Sequence, residues 1–291
     1  MTTDQDVALH YRHGTLLQTL LAAATAMGKD PARLQPADLM GADEFHLGGV
    51  RATRDLAAQL GLTPEMHLLD IGSGLGGPAR QLAAMSGCRV TGIDLSEEFV
   101  DLAVDLTDRM GLADRVAFRQ GGATALPFPA ASFDRATLLH VGMNIADKRG
   151  LTQSVHRLLR PGALFAIYDV MRCGLGALDF PLPWASGPDT SFVEPAEAYR
   201  EALTEAGFTI IAERNRARFA LESLAAARDG RGSSGPPSAG SASLRPAPSG
   251  PPPLGPGIAM GASAGRKIAN LTSLLERGVV APVEMIAKSA D

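Results

Sequence analysis

Cysteine is nearly absent. Cys88 and Cys173 are the only two in 291 residues, and each sits beside a predicted strand without metal-ligand spacing. That pattern argues for small buried or half-buried thiols in a reducing compartment, and for no cysteine-held metal. A basic excess is missing too: the net charge is −4, so a phosphate-tracking surface is not expected and nucleic acid is not the partner to look for. No segment approaches the roughly 18 continuous apolar residues of a membrane span. The first residues carry Asp4 and Asp6, not a basic region followed by an apolar run. A soluble cytoplasmic protein is the expectation. Tryptophan occurs once, as Trp184, in a stretch (180–184) too proline-rich for a helix or a central strand. What the chain does have is apolar material: 45% hydrophobic residues suffice for one α/β core plus an accessory region.

Leu16, Leu17, Leu20, Leu21 and Ala24 recur at helical spacing, with Gly28 as a terminator. Asp30-Pro31 and Gln35-Pro36 then break the chain into short turns, and a helix over about 50–60 leads to the first strand. Between them Glu44-Phe45-His46-Leu47-Gly48-Gly49 reads as a turn or as a flap over a pocket. From residue 66 strands and helices alternate, with strands at 68–71, 89–95, 116–119, 133–140, 163–171 and 208–214. This spacing predicts βαβ units and a parallel sheet covered on both faces. A helix at 219–227, a Gly/Ser/Pro-rich tether at 230–257 and a helix at 264–276 precede a last strand over 279–287, whose Pro282 suggests an edge or a bulge.

The chemistry concentrates at the ends of the first four strands. Gly72, Gly74, Gly76 and Gly77 lie within six positions, removing the Cβ atoms that keep a ligand from the backbone. Pro78 suits the first turn of a helix, whose free N–H groups face a polar or anionic ligand. Asp94 ends the second strand, where a carboxylate can accept both hydroxyls of a ribose. Gly121-Gly122-Ala123-Thr124 follows the third strand, and His140-Val141-Gly142-Met143-Asn144 the fourth. Glycine spacing and Asp94 alone also fit a nicotinamide-dependent dehydrogenase.

Leu68-Leu69-Asp70-Ile71-Gly72-Ser73-Gly74-Leu75-Gly76-Gly77, Asp94, Ala123-Thr124-Ala125-Leu126-Pro127-Phe128 and Leu159-Arg160-Pro161-Gly162 together resemble the class I S-adenosylmethionine-dependent methyltransferases. More narrowly they resemble the small-molecule branch that includes quinone, sterol and sarcosine/dimethylglycine enzymes. The resemblance implies a Rossmann-like, mostly parallel seven-stranded sheet with an antiparallel last strand. It implies a helical cap at 1–62, a cofactor-binding core at 63–215, a helical lid at 216–278 and a final core strand at 279–291. It puts the methionine moiety of S-adenosylmethionine against Asp70, Gly72, Gly74 and Gly76, the ribose on Asp94, the adenine against Leu95 and Ala123, and His140 near the sulfonium. Gly122 stands where relatives usually carry an acidic residue for the adenine amino group, a loss of about 1 kcal/mol.

Methyl transfer from a sulfonium is an in-line displacement that needs positioning and dryness more than protein chemistry. An oxygen or protonated nitrogen acceptor also needs a base, for which His140 is the first candidate and His46 the second. Tyr168 completes the catalytic candidates, and Phe45, Met143, Asn144 and Trp184 are the candidate walls of the acceptor pocket. The expected partner is a small-molecule acceptor, with N, O or C undecided and oligomeric state unread. A non-catalytic S-adenosylmethionine-binding protein is the further alternative.

Overall fold

The computed structural model describes residues 6–7, 14–229, 255 and 257–290. Nearly all of the expected tether at 230–257 lies outside the described residues. Among the described residues the cap begins with α1 (Leu16–Ala26), α2 (Pro36–Asp43) and α3 (Gly49–Leu60). Gln35-Pro36 opens a helix and is not a mere turn. Pro36 sits in its first turn, and the Gln35 and Asp38 side chains reciprocally satisfy backbone N–H groups as a capping box.

The core then alternates β1 (His67–Ile71), α4 (Gly77–Ser86), β2 (Arg89–Asp94), α5 (Glu97–Arg109), β3 (Val116–Gln120), β4 (Phe133–Leu139), α6 (Lys148–Leu158), β5 (Leu159–Arg172), α7 (Ala196–Glu205) and β6 (Phe208–Asn215). Helices α8 (Ala217–Arg228) and α9 (Ala264–Glu276) precede β7 (Val280–Ser289). The seven strands lie in the order β3-β2-β1-β4-β5-β7-β6. Pairings from β3 through β5 are parallel, whereas β7 runs antiparallel to both β5 and β6. This is the mostly parallel, doubly wound sheet with an antiparallel last strand that the sequence led us to expect. Order reverses between β1 and β4, so the crevice for a ligand opens beyond their carboxyl ends.

Burial on both faces explains the near-continuous apolar runs of the central strands: Leu68 to Ile71 are all buried. Leu151, Val155, Leu158 and Tyr199 of α6 and α7 fill one face. Leu56 and Leu60 of α3 fill the other with Leu82 and Ala83 of α4. The first turn of α5 carries Glu97 and Glu98, and its Ser96 cap accepts from Phe99 N at 3.3 Å, a cap contributing about 1 kcal/mol. Two expectations are corrected. The strand expected over 163–171 begins earlier, because β5 starts at Leu159, which already pairs with Phe133. Pro282 is not at an edge: β7 is an interior strand, and Pro282 pairs with Val170 of β5. The missing N–H is tolerated because β6 ends at Asn215, opposite Val283, so that side of Pro282 needs only its carbonyl, which accepts from Arg216 N at 2.8 Å.

Candidate cofactor and acceptor site

A cavity of about 150 Å³ lies over the carboxyl ends of β1 to β4, and the segment joining α2 to α3 lines it with Phe45 and His46. Gly72 and Gly74 supply its floor. Both have left-handed φ values, 68° and 52°, which glycine adopts without strain. A Cβ on Gly72 would collide with Val141, whereas Gly74 faces open space, as a backbone approached by ligand must. Asp94 spans the turn: its Oδ2 accepts from Gly74 N at 2.8 Å and its Oδ1 from Ser96 N at 2.9 Å. Each carboxylate oxygen keeps a further lone pair for a ligand hydroxyl. Leu95, Phe99, Gly121, Gly122, Ala123 and Thr124 complete the wall on that side.

Three other carboxyls lie in or behind the cavity wall, Asp43 alone lining it. Asp43, from the end of α2, bonds buried Arg80 of α4 at 2.8 Å through Oδ2. Arg80 is held by Leu75 O and Thr107 Oγ1 as well. Asp70, in β1, accepts from Thr137 Oγ1 at 2.7 Å; burial, partly offset by that bond, pushes its carboxyl up to about 7. Glu44, bonded by Thr53 Oγ1 at 2.7 Å, is pushed up to about 8 by burial and by the neighbouring Asp43 charge. Burial raises Asp43 and Asp94 as well.

Among the described residues six buried side-chain polar atoms lack a partner, and four belong here: Asp43 Oδ1, Asp70 Oδ2, Ser73 Oγ and His140 Nε2. Asp43, Ser73 and His140 line the cavity, and Asp70 directly precedes its wall residue Ile71. Buried polar atoms in native proteins are normally paired, so this concentration marks a place for a polar ligand. The two carboxyls that line the cavity itself, Asp43 and Asp94, are the acceptors it offers such a ligand.

On the acceptor side, His46 and His140 both line the cavity, with ring centres 5.9 Å apart and planes at 80°. His140 has a φ of 54°, a conformation non-glycine residues rarely take. Its backbone is fixed by His140 N donating to Tyr168 O at 2.7 Å, and its ring stacks on Tyr168 at 5.0 Å. Burial holds both imidazoles neutral, His46 down to about 4 and His140 well below the usual histidine range. Phe45 and Asn144 join the lining.

Five sequence candidates sit outside it. Asp70 is embedded behind the glycine turn, bound to Thr137. Gly76 faces away from the cavity, toward Phe118 and Arg80. The Tyr168 hydroxyl donates to Leu47 O at 2.9 Å, so this tyrosine supports the His140 ring and the overlying segment from beneath. Met143 and Trp184 belong to an apolar cluster with Leu271 and Leu274 of α9, and the Trp184 indole is spent on Ser191 Oγ at 3.0 Å. Asn144 lines the cavity while its amide donates to Trp184 O and Thr190 O. Asp43, Glu44, Ser73 and Arg80 were missed. The one signal in the sequence was the acidic pair Asp43-Glu44 directly before Phe45-His46.

Comparisons with known proteins agree with this geometry. Residues 69–167 match the family model described as "Methyltransferase domain". The chain therefore carries a methyltransferase domain in a class I, Rossmann-like methyltransferase fold. Several of its relatives are named as methyltransferases of small molecules. The chain is 35% identical over 127 residues to "Sterol 24-C-methyltransferase ERG6B" of Gibberella zeae, covering 44% of this chain and 33% of that protein. It is 29% identical over 209 residues to "O-methyltransferase resE" of Aspergillus sclerotiorum, covering 70% and 75%. A solved structure of geranyl diphosphate C-methyltransferase from Streptomyces coelicolor, with Mg²⁺, geranyl diphosphate and S-adenosyl-L-homocysteine, shares the fold. Its TM-score is 0.61 at 16% identity, over 83% of this chain and 79% of that one. The chain spans between a third and a half of the length of the sterol methyltransferases it matches. The nicotinamide reading finds no support among these relatives. No described helix is long and apolar enough to cross a membrane.

Proposed function

We propose that the protein moves the methyl group of S-adenosylmethionine to a small-molecule acceptor. The observation that carries this reading is the set of unpartnered buried polar atoms around one carboxyl-rich cavity, set against the bared backbone of Gly72 and Gly74. A nucleoside bearing ammonium, carboxylate and sulfonium groups suits such a lining. In this reading Asp94 accepts the ribose hydroxyls, Leu95 and Ala123 flank the adenine, and the bared turn Gly72-Ser73-Gly74 receives the methionine moiety. Asp43, steadied by Arg80, adds an acceptor for its ammonium group. The cofactor supplies an electrophilic methyl group. The chain's own residues bind, orient and exclude water, which is most of what an in-line displacement requires.

Phe45, His46, His140 and Asn144 form the acceptor side. Helix α8 serves as part of its cover: Phe219 packs against Gly48, two residues after His46, and so buttresses the segment that carries that histidine. The two free thiols, Cys88 and Cys173, suit a reducing compartment, and the reading keeps the protein in the cytoplasm. The test is thermal stabilisation by S-adenosylhomocysteine set against NAD, followed by labelled-methyl transfer to a panel of phenols, amines and sterol-like compounds. Stabilisation by NAD alone would overturn the reading.

A further inference from the structure

Behind the acceptor side lies a buried ion cluster, none of whose residues lines the cavity. Asp169 of β5 and Lys148 of α6 are 0% and 6% exposed, and charges are kept in an interior only where complementary groups meet them. The partners of Asp169 are donors. Val170 N–H reaches Oδ1 at 2.9 Å and the Tyr199 hydroxyl of α7 reaches Oδ2 at 2.5 Å. Lys148 Nζ donates to Ile145 O at 2.5 Å and to Phe192 O at 2.9 Å, with the Tyr199 ring centre 5.3 Å away. The two charges hold one short turn, Gly142–Asn144. Asn144 N–H and Ile145 N–H are satisfied inside it, by Val141 O and Gly142 O. Met143 N–H goes to Asp169 and Ile145 O to Lys148, while Met143 O accepts from Phe192 N at 2.7 Å. A Cβ on Gly142 would come within 2.3 Å of Asp169 Oδ2 and 2.5 Å of the Tyr199 hydroxyl, so the turn rests directly on the cluster. Val141, Asn144 and Ile145 also line the cavity. Asn144 Nδ2 in turn donates to Trp184 O and Thr190 O, at 2.9 Å each.

We propose that Asp169 is a positioning residue for the methyl acceptor: its carboxylate, oriented by Tyr199 and balanced by Lys148, holds the turn 142–145 in the cavity wall and, through Asn144, the segment bearing Trp184. The use of that wall by an acceptor rests on the methyl-transfer reading, whereas the clamp itself does not. Burial lifts the Asp169 carboxyl to about 6, against the Tyr199 bond, the Lys148 charge and the Val170 and Met143 N–H groups. The clamp is therefore closed at pH 7 and opens as the medium turns acid. Protonation puts a hydrogen on an oxygen that must accept, so one of the three donors loses its acceptor and Lys148 loses its counter-charge. Glu194 acts on the same cluster through Lys148 and Tyr199.

Trp184 is the only tryptophan and its carbonyl is tied to the turn, so its emission reports the clamp in the full chain without any ligand. In the parent the emission is expected to shift with a midpoint near pH 6. Tyr199→Phe removes a hydrogen bond that favours the ionised carboxylate and is expected to raise that midpoint by about one pH unit. Asp169→Asn is expected to abolish the transition. A midpoint unmoved in Tyr199→Phe, or a transition unchanged in Asp169→Asn, overturns the assignment; Tyr199→Phe alone decides it should Asp169→Asn fail to fold. S-adenosylhomocysteine affinity at pH 7.5 is expected to agree within about twofold between the parent and Tyr199→Phe, and its loss in the variant would put the cluster on the cofactor side and overturn the acceptor role. With the panel compound that the parent methylates fastest, kcat is expected to fall about tenfold in Asp169→Asn at unchanged KM for S-adenosylmethionine, and an equal kcat overturns the positioning role. Absence of any methyl transfer by the parent counts instead against the methyl-transfer reading, and the emission test decides the clamp without it.

Discussion

Replacing Asp70 by Asn is expected to make the cofactor-free protein more stable at pH 8 and to give no such gain at pH 4. The carboxyl is buried in β1, with Oδ1 bonded by Thr137 and Oδ2 unpartnered, and burial lifts it from an ordinary 3.8 to about 7. In the unfolded chain the proton leaves near pH 4, while the folded protein retains it until about pH 7. Stability therefore falls as pH rises through that window, and above it the full cost of the buried charge applies. The gap between 3.8 and about 7 corresponds to about 4 kcal/mol. Asn keeps the acceptor for Thr137, but its amide N–H₂ occupies the position without a partner, costing about 1–3 kcal/mol. The net expectation is a gain of about 1–3 kcal/mol at pH 8, and a variant no more stable than the parent at pH 4. Urea unfolding of both proteins at the two pH values measures it, through the shift in midpoint at constant slope. A variant less stable than the parent at pH 8, or equally displaced at both pH values, would refute the reasoning.

Gly122→Asp restores an acceptor at the adenine edge and is expected to tighten S-adenosylhomocysteine binding about fivefold, roughly 1 kcal/mol, measured by calorimetry. Arg80→Met strands the Asp43 carboxylate in the interior beside Glu44 and is expected to cost about 3–5 kcal/mol of stability, read by denaturant unfolding. His140→Ala removes an imidazole from the cavity lining and is expected to lower turnover while leaving S-adenosylhomocysteine affinity within about twofold. A weakened cofactor and intact turnover would reverse that role.

The core of the fold was legible because its signals are local. The 3.6- and 2-residue patterns, the glycine turn at 72–77 and the Ser96 cap each depend on neighbours in sequence. Gly72, Gly74, Asp94, Leu95, Ala123 and His140 meet around one cavity for the same reason: each directly follows or ends a parallel strand, and such ends converge. Pro282 misled because strand order, which puts β7 inside the sheet, is a global property. Trp184 and Met143 misled because their apolar partners on α9 lie about 90 or more residues away. Nothing local ties Asp43 to Arg80, 37 residues on, and the backbone groups that reach His46 and His140 come to them only in the folded chain.

The central claim is that the crevice between the glycine turn and Asp94 binds the nucleoside of S-adenosylmethionine. Titration calorimetry of S-adenosylhomocysteine into the full chain and into Asp94→Ala tests it most directly. The account predicts saturable one-site binding that the substitution weakens by about 1–3 kcal/mol, the loss of charge-assisted hydrogen bonds to two hydroxyls. No binding to the parent chain, or equal affinity in both proteins, would contradict it.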